Sequence, residues 1–391
     1  MSFVPDTSPE VLEWARKVIG LPQRVAAEKL GIPGIQLREW EEGYGGPTLG
    51  QLRKMAEIYK KPLATLLRSQ LPKNEKPIEV DFRLLEMNQN REWSTELWMA
   101  LWRIQLQQDV ALELAHKEDA IPPLLGMTIY QEDHLEETAI SIRAWLESAA
   151  GKPVNLYGKR DFSEWIKLIE AQGILVTQVS FVSLEEMRGC SFAQQPFPVI
   201  ALNSQDSPNG RLFTLMHELI HILLQDGGIC DLEDKYQEKP LGRERTERFC
   251  NAVAAAILIP SPQLLKDLRV AISSTHSMWA EEDISELSRR FGVSREALIL
   301  RLISLGRAPW TTYHELQPRY QRAWEEVSRL PNTSHRFAPN QRKIRDLGRR
   351  YSISVLNAYR RDDITALNAA DFLNTTIGNL PKLSDELEIP R

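Results

Sequence analysis

The segment that most constrains this chain is Phe213-Thr214-Leu215-Met216-His217-Glu218-Leu219-Ile220-His221-Ile222-Leu223-Leu224. It is apolar nearly all round, so as a helix it belongs in a protein interior. Three polar side chains sit in its middle, and burying them is costly unless something satisfies them. Residues four apart lie on one helical face, one turn above each other. His217 and His221 can therefore reach a single ion. Two histidines at this spacing, with a glutamate after the first, suit Zn²⁺, with Glu218 as general base toward water. The plainer alternative is a pair of core histidines with satisfied hydrogen bonds and an incidental glutamate.

A site of this type needs a third protein ligand and an open position. The next predicted helix, from Glu244 to Pro260, offers Glu247 as that ligand. Asn251 lies four residues on, on the same face, where it can orient a ligand through a hydrogen bond. A solvated acid at a helix start is the competing account of Glu247. Cys250, three residues from Glu247, could also face the metal and give a set of two histidines and a cysteine. Asp226 and Cys230, in the loop after the first helix, are weaker candidates. A hydrolytic site also needs a donor for the developing oxyanion. The sequence assigns none; Tyr236 and His276 are polar and downstream.

Those residues resemble the ImmA/IrrE family of metallo-endopeptidases. Arg211-Leu212-Phe213-Thr214 stands where that family has Arg-x-Phe-Thr, and Asn203 closes the preceding strand. Downstream come Glu247, Asn251, the run Ala252 to Ala256, and Ile257-Leu258-Ile259-Pro260. The resemblance implies that Glu247 is the third zinc ligand. It extends over most of the chain: Asp81-Phe82-Arg83, the segment Ile284 to Ser294 and a C-terminal module from Leu347 to Leu383 match long members. Ile220 replaces a residue that is usually small, and Cys250 replaces a more usual alanine. Neither change removes a ligand. Members of the family cleave transcriptional repressors, usually helix-turn-helix proteins, in response to DNA damage or mobile-element signals. The resemblance therefore implies a protein substrate of that class.

The 391 residues suggest two or three units. The expected fold is mainly α with a small β-sheet. A helix-turn-helix domain is expected over 1–71 and a linker over 72–95. A zincin-like (gluzincin-type) metallopeptidase domain follows over 96–306, and a helical module over 307–391. Strands are predicted at Ile174–Val179, Cys190–Phe192 and Val199–Leu202. Helices are predicted at Trp93–Lys117, Glu136–Ser148, Phe162–Ala171, Ile284–Phe291, Arg295–Leu305, Leu316–Leu330, Gln341–Tyr359 and Ala366–Leu373. Most tryptophans, among them Trp14, Trp40, Trp93 and Trp165, fall in helical patterns and read as core.

In the first unit, Gln23–Leu30, Gly31-Ile32-Pro33 and Ile35–Glu42 have helix-turn-helix spacing. Gln23, Gln36 and Arg38 are the side chains expected to contact DNA. The electrostatic footprint is weak: residues 1–70 hold ten Lys and Arg against eight Asp and Glu. Binding of a protein partner, including another helix-turn-helix protein, is an equal reading.

A net charge of -5 argues against a chain-wide surface for binding nucleic acid, so any DNA contact must be local. Three cysteines do not make a disulfide framework. No signal peptide is apparent, and no apolar run approaches the roughly 18 residues of a membrane span. The expected location is the cytoplasm, with no membrane contact. The alternative function is that of a DNA-binding regulator, or a toxin-antitoxin or phage-response component, whose zinc site is structural or whose proteolysis is secondary.

Overall fold

The computed structural model describes residues 7–18, 21, 23–59, 63–70, 94–119, 121–149, 161–225, 229–230, 241–316, 318 and 338–388. Residues 72–93 of the predicted linker (with Asp81-Phe82-Arg83 and Trp93), Asp226, Tyr236 and nearly all of the predicted helix Leu316–Leu330 lie outside them. Two compact units divide the chain, residues 1–106 and 107–391.

The first unit contains α1 (Pro9–Val18), α2 (Gln23–Leu30), α3 (Gly34–Glu41), α4 (Leu49–Ile58) and α5 (Leu63–Leu66). Gly31, at φ +72°, makes the turn between α2 and α3 in the left-handed region that favours glycine. Thr48 starts α4 with a capping box: its hydroxyl accepts from the Gln51 amide at 3.3 Å, and Gln51 Oε1 accepts from the Thr48 amide at 2.8 Å. Val11, Leu12, Ala26, Leu37, Leu52 and Met55 pack together, each fully buried. Trp14 and Trp40 are buried with them. Helix α6 (Thr95–Lys117) follows.

The second unit is built round a four-stranded sheet. Its strands are β1 (Leu175–Val179), β2 (Gly189–Phe192), β3 (Val199–Asn203) and β4 (Ile229–Cys230), in the order β1-β3-β2-β4. β1 and β3 run parallel, with Leu175 opposite Val199. β2 is antiparallel to β3, with Ser191 opposite Ile200, and antiparallel to β4. Every residue of β1 and β3 is buried, as strands covered on both faces should be. The mainly helical fold with a small sheet is the expected class.

Helices α7 (Leu135–Ser148) and α8 (Phe162–Ala171) precede the sheet. Helix α9 (Pro208–Leu223) crosses it, and α10 (Leu241–Leu258) packs against both α9 and α7. Ser207 caps α9, its hydroxyl accepting from the Gly210 amide at 3.0 Å, and Pro208 occupies the first turn, where its missing N–H costs nothing. From Thr214 to Leu223 every residue of α9 is buried. Two short helices absent from the sequence reading follow, α11 (Ser261–Leu264) and α12 (Leu268–Ile272). Then come α13 (Glu281–Phe291) and α14 (Arg295–Ser304).

The segment predicted as one helix, Gln341–Tyr359, is two: α15 (Pro339–Leu347) and α16 (Arg349–Arg360). Gly348 separates them at φ +84°. A Cβ there would lie 2.3 Å from the Val176 carbonyl oxygen, so glycine lets this corner touch β1. Helices α17 (Ala366–Phe372) and α18 (Leu380–Glu386) close the unit. No helix among the described residues is long and apolar enough to cross a membrane.

Candidate metal centre

Helix α9 brings His217, Glu218 and His221 into the interior, at 6%, 0% and 5% exposure. His217 Nε2 and His221 Nε2 are 3.0 Å apart. Helix α10 presents Glu247 to both, with carboxylate oxygens 3.2 Å from His217 Nε2 and 3.5 Å from His221 Nε2. One donor atom from each residue fits within 4.8 Å of the others, and His217, His221 and Glu247 form the one such cluster among the described residues.

The chemistry of these donors points to a cation. Asn251, one turn beyond Glu247, places Oδ1 2.9 Å from His217 Nδ1. An amide oxygen only accepts, so Nδ1 carries the proton and Nε2 presents a lone pair. That lone pair faces another imidazole nitrogen and a carboxylate. Converging acceptors repel one another unless a positive charge lies between them. Two imidazoles and a carboxylate are donors that suit a divalent metal. Burial pushes the Glu247 carboxyl up, but the facing imidazoles of His217 and His221 outweigh it and hold the group below the usual carboxylate range.

Glu218 points to a different neighbour. Ser191 on β2 donates its hydroxyl to Glu218 Oε2 at 2.7 Å, with both groups buried. Cys250 is fully buried, and its donor atom is not part of the cluster. Burial pushes its thiol up, against a hydrogen bond from His221. His276 is exposed in the turn after α12, with its ring Nδ1 3.2 Å from the Thr275 hydroxyl.

The residues flanking the histidine helix have structural explanations. Asn203 is fully buried and donates to the carbonyls of Val182 at 2.8 Å and Met187 at 2.9 Å, which fixes the loop before β2. Arg211 donates to Gln178 Oε1 at 2.9 Å and lies over the Phe162 ring at 5.2 Å. Thr214 packs its methyl against Gly189, where a Cβ would approach to 2.3 Å. Gly189 and Ser191 carry no sequence pattern that ties them to the site.

In the first unit, Gln23, Gln36 and Arg38 are not equivalent. Gln23 donates to Glu41 Oε2 at 2.8 Å, and the same carboxylate holds Arg16 at 2.6 Å. Gln36 is half-buried, and Arg38 is exposed on α3 beside exposed Glu39 and Ile35.

Residues 169–302 match the family described as the IrrE N-terminal-like domain, and residues 12–66 match a helix-turn-helix family. The second unit carries an IrrE N-terminal-like domain. The span of that match includes β1–β4, both histidines, Glu218, Glu247 and Asn251. Over 106 residues the chain is 37% identical to the radiation response metalloprotease IrrE of Deinococcus deserti, covering 27% of this chain and 35% of that protein. It is 39% identical over 72 residues to the protein of the same name from Deinococcus radiodurans, covering 18% and 22%. The chain thus spans about a third or less of the length of the curated relatives it matches. An IrrE-like domain in one unit and a helix-turn-helix in the other is the arrangement expected for the long form of the ImmA/IrrE family.

Proposed function

We propose that the chain is a zinc-dependent endopeptidase of the cytoplasm. Its proposed substrate is a protein, a helix-turn-helix transcriptional repressor, and its role is regulatory. The main support is the convergence of His217 Nε2, His221 Nε2 and the Glu247 carboxylate beside buried Glu218. The two relatives are radiation response metalloproteases by name, which favours a role in a stress response. The repressor as substrate rests on the resemblance to long family members.

His217, His221 and Glu247 would hold the ion. A divalent cation there supplies Lewis acidity toward a carbonyl oxygen and toward water. Glu218 accepts a proton as water adds to the scissile carbonyl, and returns it to the leaving amine nitrogen. Asn251 keeps the His217 ring in the tautomer that leaves Nε2 open. The helix-turn-helix domain recruits DNA or the substrate protein. Arg38 and Gln36 are the proposed DNA contacts, whereas Gln23 already serves Glu41.

The test is co-expression of the full chain with repressors encoded nearby. Wild type should cleave one of them. Glu218→Gln should keep its metal, leave that repressor intact and co-purify with it. Cleavage by Glu218→Gln at normal zinc content overturns the reading. A gel shift with the full chain at rising salt tests the DNA contact, since phosphate contacts weaken steeply as salt increases.

A further inference from the structure

Strand β2 lies against α9 through two residues on one of its faces. Side chains two apart on a strand share a face, so Gly189 and Ser191 point the same way. Thr214 and Glu218, four apart, share a face of α9. The two faces meet. Ser191 Oγ donates to Glu218 Oε2 at 2.7 Å. A Cβ on Gly189 would stand 2.3 Å from the Thr214 methyl and 3.3 Å from Glu218 Oε1. One carboxylate oxygen is therefore hydrogen-bonded by Ser191, and the other lies close to Gly189, where a Cβ would press tightly against it. Glu218 is 0% exposed and Ser191 is 3% exposed, so water does not compete for this hydrogen bond.

We propose that Gly189 and Ser191 form a seat on β2 that holds the Glu218 carboxylate in one orientation, and that Ser191 is a positioning residue for proton transfer. Ser191 acts through Glu218, to which it donates its hydrogen bond. The inference rests on the peptidase function proposed above. A proton acceptor displaced by about 1 Å can lose about 100-fold in rate with binding intact. Loss of the Ser191 hydroxyl should therefore lower kcat and spare both KM and metal affinity.

The experiment uses the zinc-loaded full chain and a proteome-derived peptide library, read by mass spectrometry. Kinetics are then measured on the best-cleaved library peptide. Wild type should cleave and Glu218→Gln should not. Ser191→Ala should lower kcat roughly 10- to 100-fold, with KM and zinc affinity within about twofold of wild type. Ser191→Cys keeps the shape with a weaker donor and should fall between the two, which also covers a poorly folded alanine variant. A crystal structure of zinc-loaded Ser191→Ala should show Glu218 leaving its single orientation. Unchanged kcat in both variants, or a loss confined to KM or to zinc affinity, overturns the seat and leaves the peptidase reading standing. A wild type that cleaves no library peptide overturns both.

Discussion

His217 Nδ1 donates to Asn251 Oδ1 at 2.9 Å, from one helix to the next. The bond fixes which ring nitrogen faces Glu247 and His221. Hydrogen bonds of this kind typically govern metal affinity by 10- to 100-fold. Asn251→Ala should weaken zinc binding by about that factor, while Asn251→Asp, which keeps the acceptor, should hold it. Competition against a chromophoric chelator measures both. Equal affinities for wild type and Asn251→Ala would show that packing alone orients the ring.

Ligand and proton acceptor can be told apart by heat. A ligand that binds only the folded state stabilises it by about 2.7 kcal/mol at one hundred times its Kd. Zinc added to the metal-free full chain should therefore raise the Tm of the second unit. Glu247→Ala should lose most of that rise, because one of the three converging donors is gone. Glu218→Gln should keep it, since Glu218 is not one of the three converging donors. A Glu218→Gln protein that no longer responds to zinc would place Glu218 among the ligands.

The end of α10 hangs on Arg301, which is 2% exposed. Its guanidinium meets Glu136 at 2.6 and 2.8 Å and donates to the Ile259 carbonyl at 3.0 Å. Burial pushes the Glu136 carboxyl up, but the hydrogen bonds from Arg301 and Ser261 hold it below the usual carboxylate range. Removing one partner of a buried pair typically costs about 3–5 kcal/mol. Glu136 is 28% exposed, so water partly solvates the carboxylate left behind, and Arg301→Ala should destabilise the second unit by less than that amount, measured by urea unfolding. Arg301→Lys should recover little, because an ammonium cannot bridge both carboxylate oxygens and the carbonyl.

How much of this was legible depends on the range of each interaction. His217 and His221 could be paired because a four-residue spacing puts them on one helical face, and Glu247 was the acid that the next predicted helix offered as a third ligand. The strand β1 showed itself by its β-branched residues, and β3 by a short apolar stretch. Ser191 did not, because its bond to Glu218 depends on how β2 lies across α9. Gln23 looked available because the sequence gives no sign that Glu41, 18 residues on, would hold it. Gly348 interrupts a helical pattern, and an interior glycine alone does not end a helix. Its close approach to Val176, far back in the chain, leaves no mark in the local sequence. Strand β4 has two residues, too few for any pattern.

Glu170 gives the second unit a pH dependence of unusual sign for a carboxylate. It is 6% exposed, its Oε1 accepts the Arg350 amide at 3.1 Å, and its carbonyl accepts the Arg350 guanidinium. Burial pushes its carboxyl up to about 7, against the hydrogen bond from Arg350 and the charges of Arg350 and Arg349. The unfolded chain releases this proton near 4.5. The folded state therefore binds the proton more tightly. Its contribution to stability is complete below about 4.5 and is lost as pH rises through about 7. The shift corresponds to roughly 3 kcal/mol. Glu170→Gln has no such proton to lose. Relative to wild type, the variant should gain stability by about that amount between those two pH values and stay level above them. Comparing the two proteins cancels every other titrating group they share. Hydrogen exchange of the α16 amides, whose first turn carries Arg350, reads the effect where it arises. A difference between the proteins that does not change with pH would mean that Glu170 is ionised in the fold across the whole range, its charge held by the two arginines.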